Sequence, residues 1–202
     1  MCYNSIMNST EKNNKKTFKE DLIELIRFTF TLLIIIIPLR VFVAQPFIVN
    51  GKSMVPNLEH GDYLIIDQVS YRFNEPERGD VVVFHFPTEY RRFLIKRIIG
   101  LPGETITIDG SKVTITQADG KIIQLDEPYI NSDYSSYVNQ EIGPDEYFVM
   151  GDNRTQSSDS RSWGTLSRDL IVGKTFLRLF PFTNIDYLPA QENLENYTTT
   201  LN

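Results

Sequence analysis

Short apolar runs separated by turn residues fill most of the chain from residue 47 onward. They lie at 63–69, 81–86, 93–99, 105–108, 113–116, 122–125, 147–150 and 171–180. Runs of this length, rich in β-branched and aromatic residues and bounded by Gly, Pro, Asn and Asp, are typical of strands. No long amphipathic helix pattern follows residue 45, and no repeat of 20–50 residues is present, which argues against a solenoid or propeller. The sequence therefore predicts an all-β, mainly antiparallel domain.

Two tight-turn signals lie within this series of runs. Asp109-Gly110 and Asp119-Gly120 each separate two consecutive apolar runs. Asp-Gly between strands favours a two-residue hairpin, so a β-ribbon is predicted at 105–125. Residues 126–145 are rich in Asp, Asn, Ser and Tyr and are expected to form a surface excursion. Together these segments predict an insertion at about 105–145.

The N-terminal part of the chain changes abruptly from polar to apolar. Residues 1–21 are polar and include four lysines, whereas 22–49 are largely apolar. The stretch without charge, 28–39, is shorter than the roughly 20 residues that span a bilayer as a helix. Extending it to Ala44 is feasible, because Arg40 near the end of a helix can place its guanidinium at the interface. We therefore expect a transmembrane helix at 22–44, kinked near Pro38.

The distribution of basic residues predicts the orientation of this segment. Four lysines precede the segment and Arg27 precedes its charge-free stretch, against Arg40 and Lys52 at or just after its end, which favours a cytoplasmic N-terminus. The expected organisation is a cytoplasmic tail at 1–21, the anchor, an extracytoplasmic β domain at 45–188 and a polar tail at 189–202. The alternative is a signal peptide cleaved after Ala44, which would put bulky Phe42 where small residues are preferred.

Composition excludes or disfavours several classes of function. The net charge of -6 and the pI near 5.0 argue against nucleic acid as a partner, because phosphate contacts need a basic surface. The one cysteine, Cys2, cannot form an intrachain disulfide or a Cys ligand cluster. His60 and His85 lie in unrelated contexts, so no metal site and no cofactor are predicted.

Ser53 lies in the first candidate site, Gly51-Lys52-Ser53-Met54-Val55-Pro56, directly after the apolar segment. The first three residues are similar to the end of a phosphate-binding loop, but that motif requires a glycine where this chain has Pro46. The plain alternative is a turn before proline. A nucleophilic serine needs a base, and neither histidine lies in a recognisable triad context, which leaves a lysine.

Lys96 is the candidate base because it lies inside an apolar run. Strand alternation places Lys96 with Leu94 and Ile98 on one face, and Arg97 with apolar neighbours on the other. Burial disfavours the ammonium form and can lower the pKa of a lysine by about 3–5 units. The structural alternative is an edge-strand lysine that prevents aggregation.

A dense polar run at 151–161 is the third candidate element. It contains two acids, two arginines and several hydroxyl side chains, between an apolar run and Trp163-Gly164. This composition suits a hydrogen-bonded scaffold that organises a site, and it equally suits a solvated loop.

In this order and spacing, the three elements resemble the type I signal peptidase family. The matching blocks are Gln45-Pro46-Phe47, Gly51 to Leu58, Arg78 to Phe84, Ile95 to Glu104, and Gly151 to Gly164. The resemblance covers residues 22–183 and implies a membrane-anchored serine endopeptidase. Such an enzyme removes signal peptides from exported preproteins by cutting after small residues in Ala-X-Ala patterns.

The resemblance also implies roles for individual residues. Ser53 corresponds to the nucleophile, Lys96 to the general base, and Ser157 to a hydroxyl that orients the lysine amine. Asp159 and Arg161 correspond to a structural pair, and the Ser53 N–H to an oxyanion donor. The positions that line the family's shallow substrate pockets correspond to Met54, Leu94 and Ile95.

Two positions depart from the family pattern. Gly51 lacks the hydroxyl with which some members complete the oxyanion hole, and Thr155-Gln156 stands where Asp-Asn is usual. The expected partners are the signal peptides of preproteins and a lipid bilayer, either the plasma membrane or an internal membrane such as a thylakoid. Two alternatives stay open: a self-cleaving regulatory protease with the same Ser-Lys chemistry, and a membrane-tethered β-domain without activity.

Overall fold

The computed structural model describes residues 18–38, 44–130, 133–190 and 198–201. The chain divides into two compact units, residues 1–39 and 40–202. The first unit contains helix α1 (Phe18–Pro38), in which Leu, Ile and Phe side chains are exposed around the whole helix. Among the described helices, none combines the length and apolar character that crossing a membrane requires. The expected helix at 22–44 is therefore not confirmed, and its residues 39–43 lie outside the described residues.

The second unit is built from antiparallel strands, as predicted. Its larger sheet has the order β1-β2-β11-β3-β4-β9-β10, with β12 paired to β11. The bounds of its strands are β1 Ala44–Ile48, β2 Tyr63–Asp67, β3 Val81–Phe86, β4 Glu89–Gly100, β9 Glu146–Met150, β10 Leu166–Ser167, β11 Ile171–Phe180 and β12 Asp186–Tyr187. A short helix, α2 (Ser160–Trp163), lies between β9 and β10.

The predicted ribbon forms a second, five-stranded sheet with the order β13-β7-β6-β5-β8. The bounds of its strands are β5 Thr105–Gly110, β6 Lys112–Thr116, β7 Ile122–Leu125, β8 Ser136–Glu141 and β13 Thr198–Leu201. Gly110 and Gly120 have positive φ values of 64° and 85°, as tight turns require. The surface excursion expected at 126–145 is partly wrong, because β8 pairs with β5 along its whole length.

Three clusters of buried apolar residues hold the sheets together. One cluster lies between the ribbon strands and residues Ile99, Phe148 and Met150 of the larger sheet. A second is formed around Met54, Leu58 and strands β2 and β3. This second cluster fixes the segment that carries Ser53 against the centre of the larger sheet.

Strand β4 has a fixed register between two neighbours. Lys96 lies opposite Val82 of β3, and Arg97 lies opposite both Val81 of β3 and Met150 of β9. The consecutive residues Lys96 and Arg97 project to opposite faces of the sheet, as the strand alternation predicted. The cation on each face is buried, with exposed fractions of 2% and 0%.

Candidate active site

Ser53 lies in the non-strand segment that connects β1 to β2. Backbone hydrogen bonds close the ends of this segment, from Val49 N–H to the Asp62 carbonyl and from Gly61 N–H to the Val49 carbonyl, both at 2.9 Å. Met54 and Leu58 are buried and anchor its middle. Ser53 itself is half-buried, so its hydroxyl is available on the surface of a well-anchored turn.

The structure brings Ser53 and Lys96 into direct contact. Lys96 Nζ donates to Ser53 Oγ at 2.8 Å and to the Ile95 carbonyl at 2.8 Å. The two residues are 43 positions apart in the chain. Lys96 is 2% exposed, so the amine lies almost entirely out of solvent.

Burial lowers the pKa of Lys96 to about 8, because the ammonium form loses its hydration. The negative charge of Asp159 raises the pKa, the positive charge of Arg92 lowers it, and the charge of Asp152 raises it. The lysine therefore has a substantial neutral fraction near neutral pH. A neutral amine can accept the proton of a neighbouring hydroxyl.

Arg97, which sequence reasoning assigned only to a strand face, forms a buried ion pair on the other side of β4. Its guanidinium donates to both carboxylate oxygens of Asp152, at 2.8 and 2.7 Å, and to the Gly79 carbonyl at 3.0 Å. It also lies over the ring of Tyr129, 4.1 Å from the centroid. Both members of the pair are fully buried. This arrangement joins β4 to the loop after β9.

Asp159 and Arg161 form the expected pair in the loop after β9. Arg161 donates to both carboxylate oxygens of Asp159, each at 2.8 Å, and to the Arg154 carbonyl at 2.7 Å. Burial alone would raise the pKa of Asp159, but the hydrogen bonds and charge of Arg161, with the Gly151 N–H, outweigh burial and lower it. The ionised carboxylate thus holds both ends of the loop.

Ser157 lies beside the backbone of Ser53 and Gly151. A Cβ atom added at Gly151 would come within 2.3 Å of Ser157 Oγ and 2.5 Å of the Ser53 carbonyl oxygen. The Ser157 hydroxyl is buried, and its hydrogen bond to the Asp159 carboxylate helps to lower the pKa of Asp159. Its expected role in orienting Lys96 stays a prediction.

A small groove opens next to the Ser53–Lys96 pair, with a volume of about 80 Å³. Its lining includes Leu94 and Ile95, which were expected at a substrate pocket. Met54 was expected there too, but it is 1% exposed and packs in the core instead. The other lining residues are Phe47, Ile48, Val49, Asn50, Leu64, Val83 and Phe93. Most of the lining residues are apolar, and the small volume suits small side chains better than large ones.

A serine hydroxyl in contact with a buried amine of lowered pKa is the kind of pairing that a serine hydrolase requires, in which a base activates the nucleophile. The family described as signal peptidase, peptidase S26, matches residues 22–180, and the chain belongs to this family. It is accordingly a serine endopeptidase of the signal peptidase I type.

Individual relatives match most of the chain. A signal peptidase I of Leptolyngbya laminosa is 39% identical over 160 residues, which cover 74% of this chain and 75% of the relative. A probable signal peptidase I-2 of Synechocystis is 36% identical over 191 residues, covering 91% and 85%. A signal peptidase IB of Staphylococcus aureus is 31% identical over 197 residues, covering 88% and 100%.

Proposed function

We propose that Ser53 is the nucleophile and Lys96 the general base of an endopeptidase that removes signal peptides from exported preproteins. One observation carries this assignment: the Ser53 hydroxyl and the amine of the buried Lys96 lie 2.8 Å apart. That distance permits direct proton transfer. The pKa of about 8 for Lys96 supports the role, because the base must be neutral before it can act.

The reaction follows from this geometry. Neutral Lys96 takes the Ser53 proton as Oγ attacks the scissile carbonyl, and the tetrahedral intermediate carries the negative charge on its oxygen. The ammonium then gives its proton to the leaving amine of the mature protein, and the C–N bond breaks. Water, deprotonated by the amine that is neutral again, hydrolyses the ester between Ser53 and the signal peptide.

The oxyanion of the intermediate needs hydrogen-bond donors that are already in place. The backbone N–H of Ser53 is the donor we assign. Gly51 has a φ of 109°, a conformation that favours glycine, and a side chain there would be strained. The conformation of this turn thus accounts for glycine at a position where some family members carry a hydroxyl.

Three further residues support the pair in this proposal. Ser157 orients the Lys96 amine, and Asp159 with Arg161 fixes the loop that carries Ser157. The position of Ser157 supports this role: its hydroxyl is buried beside the Ser53 backbone and hydrogen-bonds to Asp159, whose negative charge acts on Lys96.

The groove supports a preference for small side chains before the cut, as in Ala-X-Ala. Leu94 and Ile95 lie on its wall next to the reacting pair, and its volume of about 80 Å³ is small. Drug-sized ligands occupy pockets of about 300–1,000 Å³. N-terminal sequencing of the mature product from one preprotein tests this preference directly.

We also propose that residues 22–44 hold the enzyme at a membrane, with 1–21 in the cytoplasm and 45–188 outside. The exposed apolar side chains around α1 support this, as does the excess of basic residues before it. Protease added to spheroplasts should digest the region after residue 50 and spare 1–21. A soluble form beginning at Gln45 would show instead that the segment is a cleaved signal.

The central test uses a purified preprotein and a gel readout of the shortened product. Ser53→Ala and Lys96→Arg should reduce cleavage to background, because arginine keeps the charge but cannot lose its proton. Ser111→Ala and Lys112→Arg, on the exposed turn of the ribbon, are matched controls that should cleave normally. Circular dichroism verifies folding. Cleavage by Ser53→Ala would refute the assignment, and a folded parent protein without product would favour a scaffold.

A further inference from the structure

The position of Ser53 relative to Lys96 requires an explanation, because the two residues lie on very different kinds of structure. Lys96 is on a central strand that is paired on both sides. Ser53 lies between β1 and β2 in a segment without sheet pairing. Catalytic geometry must be held to within fractions of an ångström. Some contact must therefore fix the turn against β4.

Asn57, four residues after Ser53, makes such a contact. Its side-chain amide donates to Asp152 Oδ2 at 2.7 Å and to the Tyr129 carbonyl at 3.2 Å. The backbone carbonyl of Asn57 accepts a hydrogen bond from Arg178 Nη1 at 3.0 Å. Both amide hydrogens are thus used, and they join the Ser53 turn to two segments distant in sequence.

Asp152 continues this connection to β4. The oxygen that accepts from Asn57 also accepts from Arg97 Nη2 at 2.7 Å, and the second carboxylate oxygen accepts from Arg97 Nε at 2.8 Å. Arg97 directly follows Lys96 on the strand. A continuous set of hydrogen bonds therefore runs from the turn of the nucleophile to the residue next to the base, without passing through the Ser53–Lys96 hydrogen bond.

We propose that Asn57 is a positioning residue, which sets the distance between Ser53 Oγ and Lys96 Nζ through Asp152 and Arg97. The proposal rests on the function assigned above to Ser53 and Lys96. The connection does not include the proton that moves between serine and lysine, because it runs through the Asn57 amide and the Asp152–Arg97 pair. The backbone of Ser53 itself is bonded to the loop after β9 by the Asn153 N–H, which donates to the Ser53 carbonyl at 2.9 Å.

The test compares two substitutions at Asn57 with a matched control. Asn57→Ala removes the amide, and Asn57→Asp keeps its shape but replaces both donors with acceptors that face a carboxylate and a carbonyl. Asn139→Ala removes an exposed amide from β8. Each variant is assayed with a preprotein peptide over a range of pH, at a temperature where circular dichroism shows it folded.

Both Asn57 variants should lower kcat by about 10- to 100-fold, the size of effect that a misplacement of about 1 Å produces, with KM nearly unchanged. In Asn57→Ala the acid limb of the pH profile should stay in place while its plateau falls, because no charge is removed. Asn139→Ala should match the parent protein. If one Asn57 variant does not fold, the kcat of the other variant tests the proposal.

Two results would overturn the proposal. Unchanged kcat in a folded Asn57 variant would show that the amide does not position Ser53. A shifted acid limb in Asn57→Ala would show that Asn57 acts on the charge of Lys96 instead of its position. Failure of the dyad itself has a different signature, namely cleavage by Ser53→Ala in the same assay.

Discussion

The neutral fraction of Lys96 is the quantity on which the proposed reaction depends. With a pKa of about 8, roughly 10% of the amine is neutral at pH 7. An ordinary lysine, with a pKa near 10.5, would be about 0.03% neutral. Burial of the side chain therefore supplies about 300 times more of the reactive form.

The assay is kcat/KM for a preprotein peptide between pH 6 and pH 10. Because the base must lose a proton, activity should rise with pH and level off, with a midpoint near 8 and a slope of one. Arg92→Gln should move the midpoint upward, because the positive charge of Arg92 lowers the pKa of Lys96. Arg91→Gln is the matched control, since alternation places Arg91 on the opposite face of β4.

Three outcomes would refute this reasoning. A midpoint near the ordinary lysine value would show that burial does not tune the base. Equal midpoints for Arg92→Gln and the parent protein would show that local charge does not act on Lys96. A midpoint that moves equally in Arg91→Gln and Arg92→Gln would indicate a general effect of surface charge instead.

Three further substitutions test the surroundings of the pair. Gly151→Ala should lower kcat at least about tenfold, because the new Cβ would overlap the Ser157 hydroxyl and the Ser53 carbonyl oxygen. Steady-state kinetics with the peptide measure kcat, and a value equal to that of the parent protein would contradict the prediction. Asp152→Ala should lower the free energy of unfolding by about 3–5 kcal/mol, because it removes the carboxylate that faces the fully buried guanidinium of Arg97. Urea denaturation measures the loss, and a change below about 1 kcal/mol would contradict this prediction. Ser157→Ala should lower kcat less than Ser53→Ala, and equal loss with the fold intact would give Ser157 a direct role.

Local patterns in the sequence predicted the strands that are rich in apolar residues. Strands β3, β7 and β11 were predicted with their observed bounds, because each is a short apolar run. Strand β8 was missed because its residues, Ser-Tyr-Val-Asn-Gln-Glu, are mostly polar and its pairing is decided by β5. Tertiary pairing outweighs intrinsic preference at such a strand.

For the site, too, local patterns in the sequence predicted the placement of single residues but not their partners distant in the chain. Alternation placed Lys96 and Arg97 on opposite faces, but it could not identify Asp152 as the partner of Arg97, 55 residues away. Asn57 and Asp152 are 95 residues apart, and no local signal connects them. Met54 was assigned to the pocket by resemblance, whereas packing directs its side chain into the core.

The placement of Lys96 and Arg97 as neighbours on one strand limits how the length of this hairpin can vary. A one-residue deletion between Phe93 and Lys96 would bring Arg97 to the position opposite Val82 that Lys96 occupies, beside Ser53. A one-residue insertion would bring Ile95 to that position. The register of β4 with β3 is unbroken there, and it shifts only between His85 and Phe86, toward the hairpin tip. Changes in loop length at 87–88 are therefore tolerable, whereas one residue more or less beyond Phe93 would put a side chain that cannot accept the serine proton against the nucleophile.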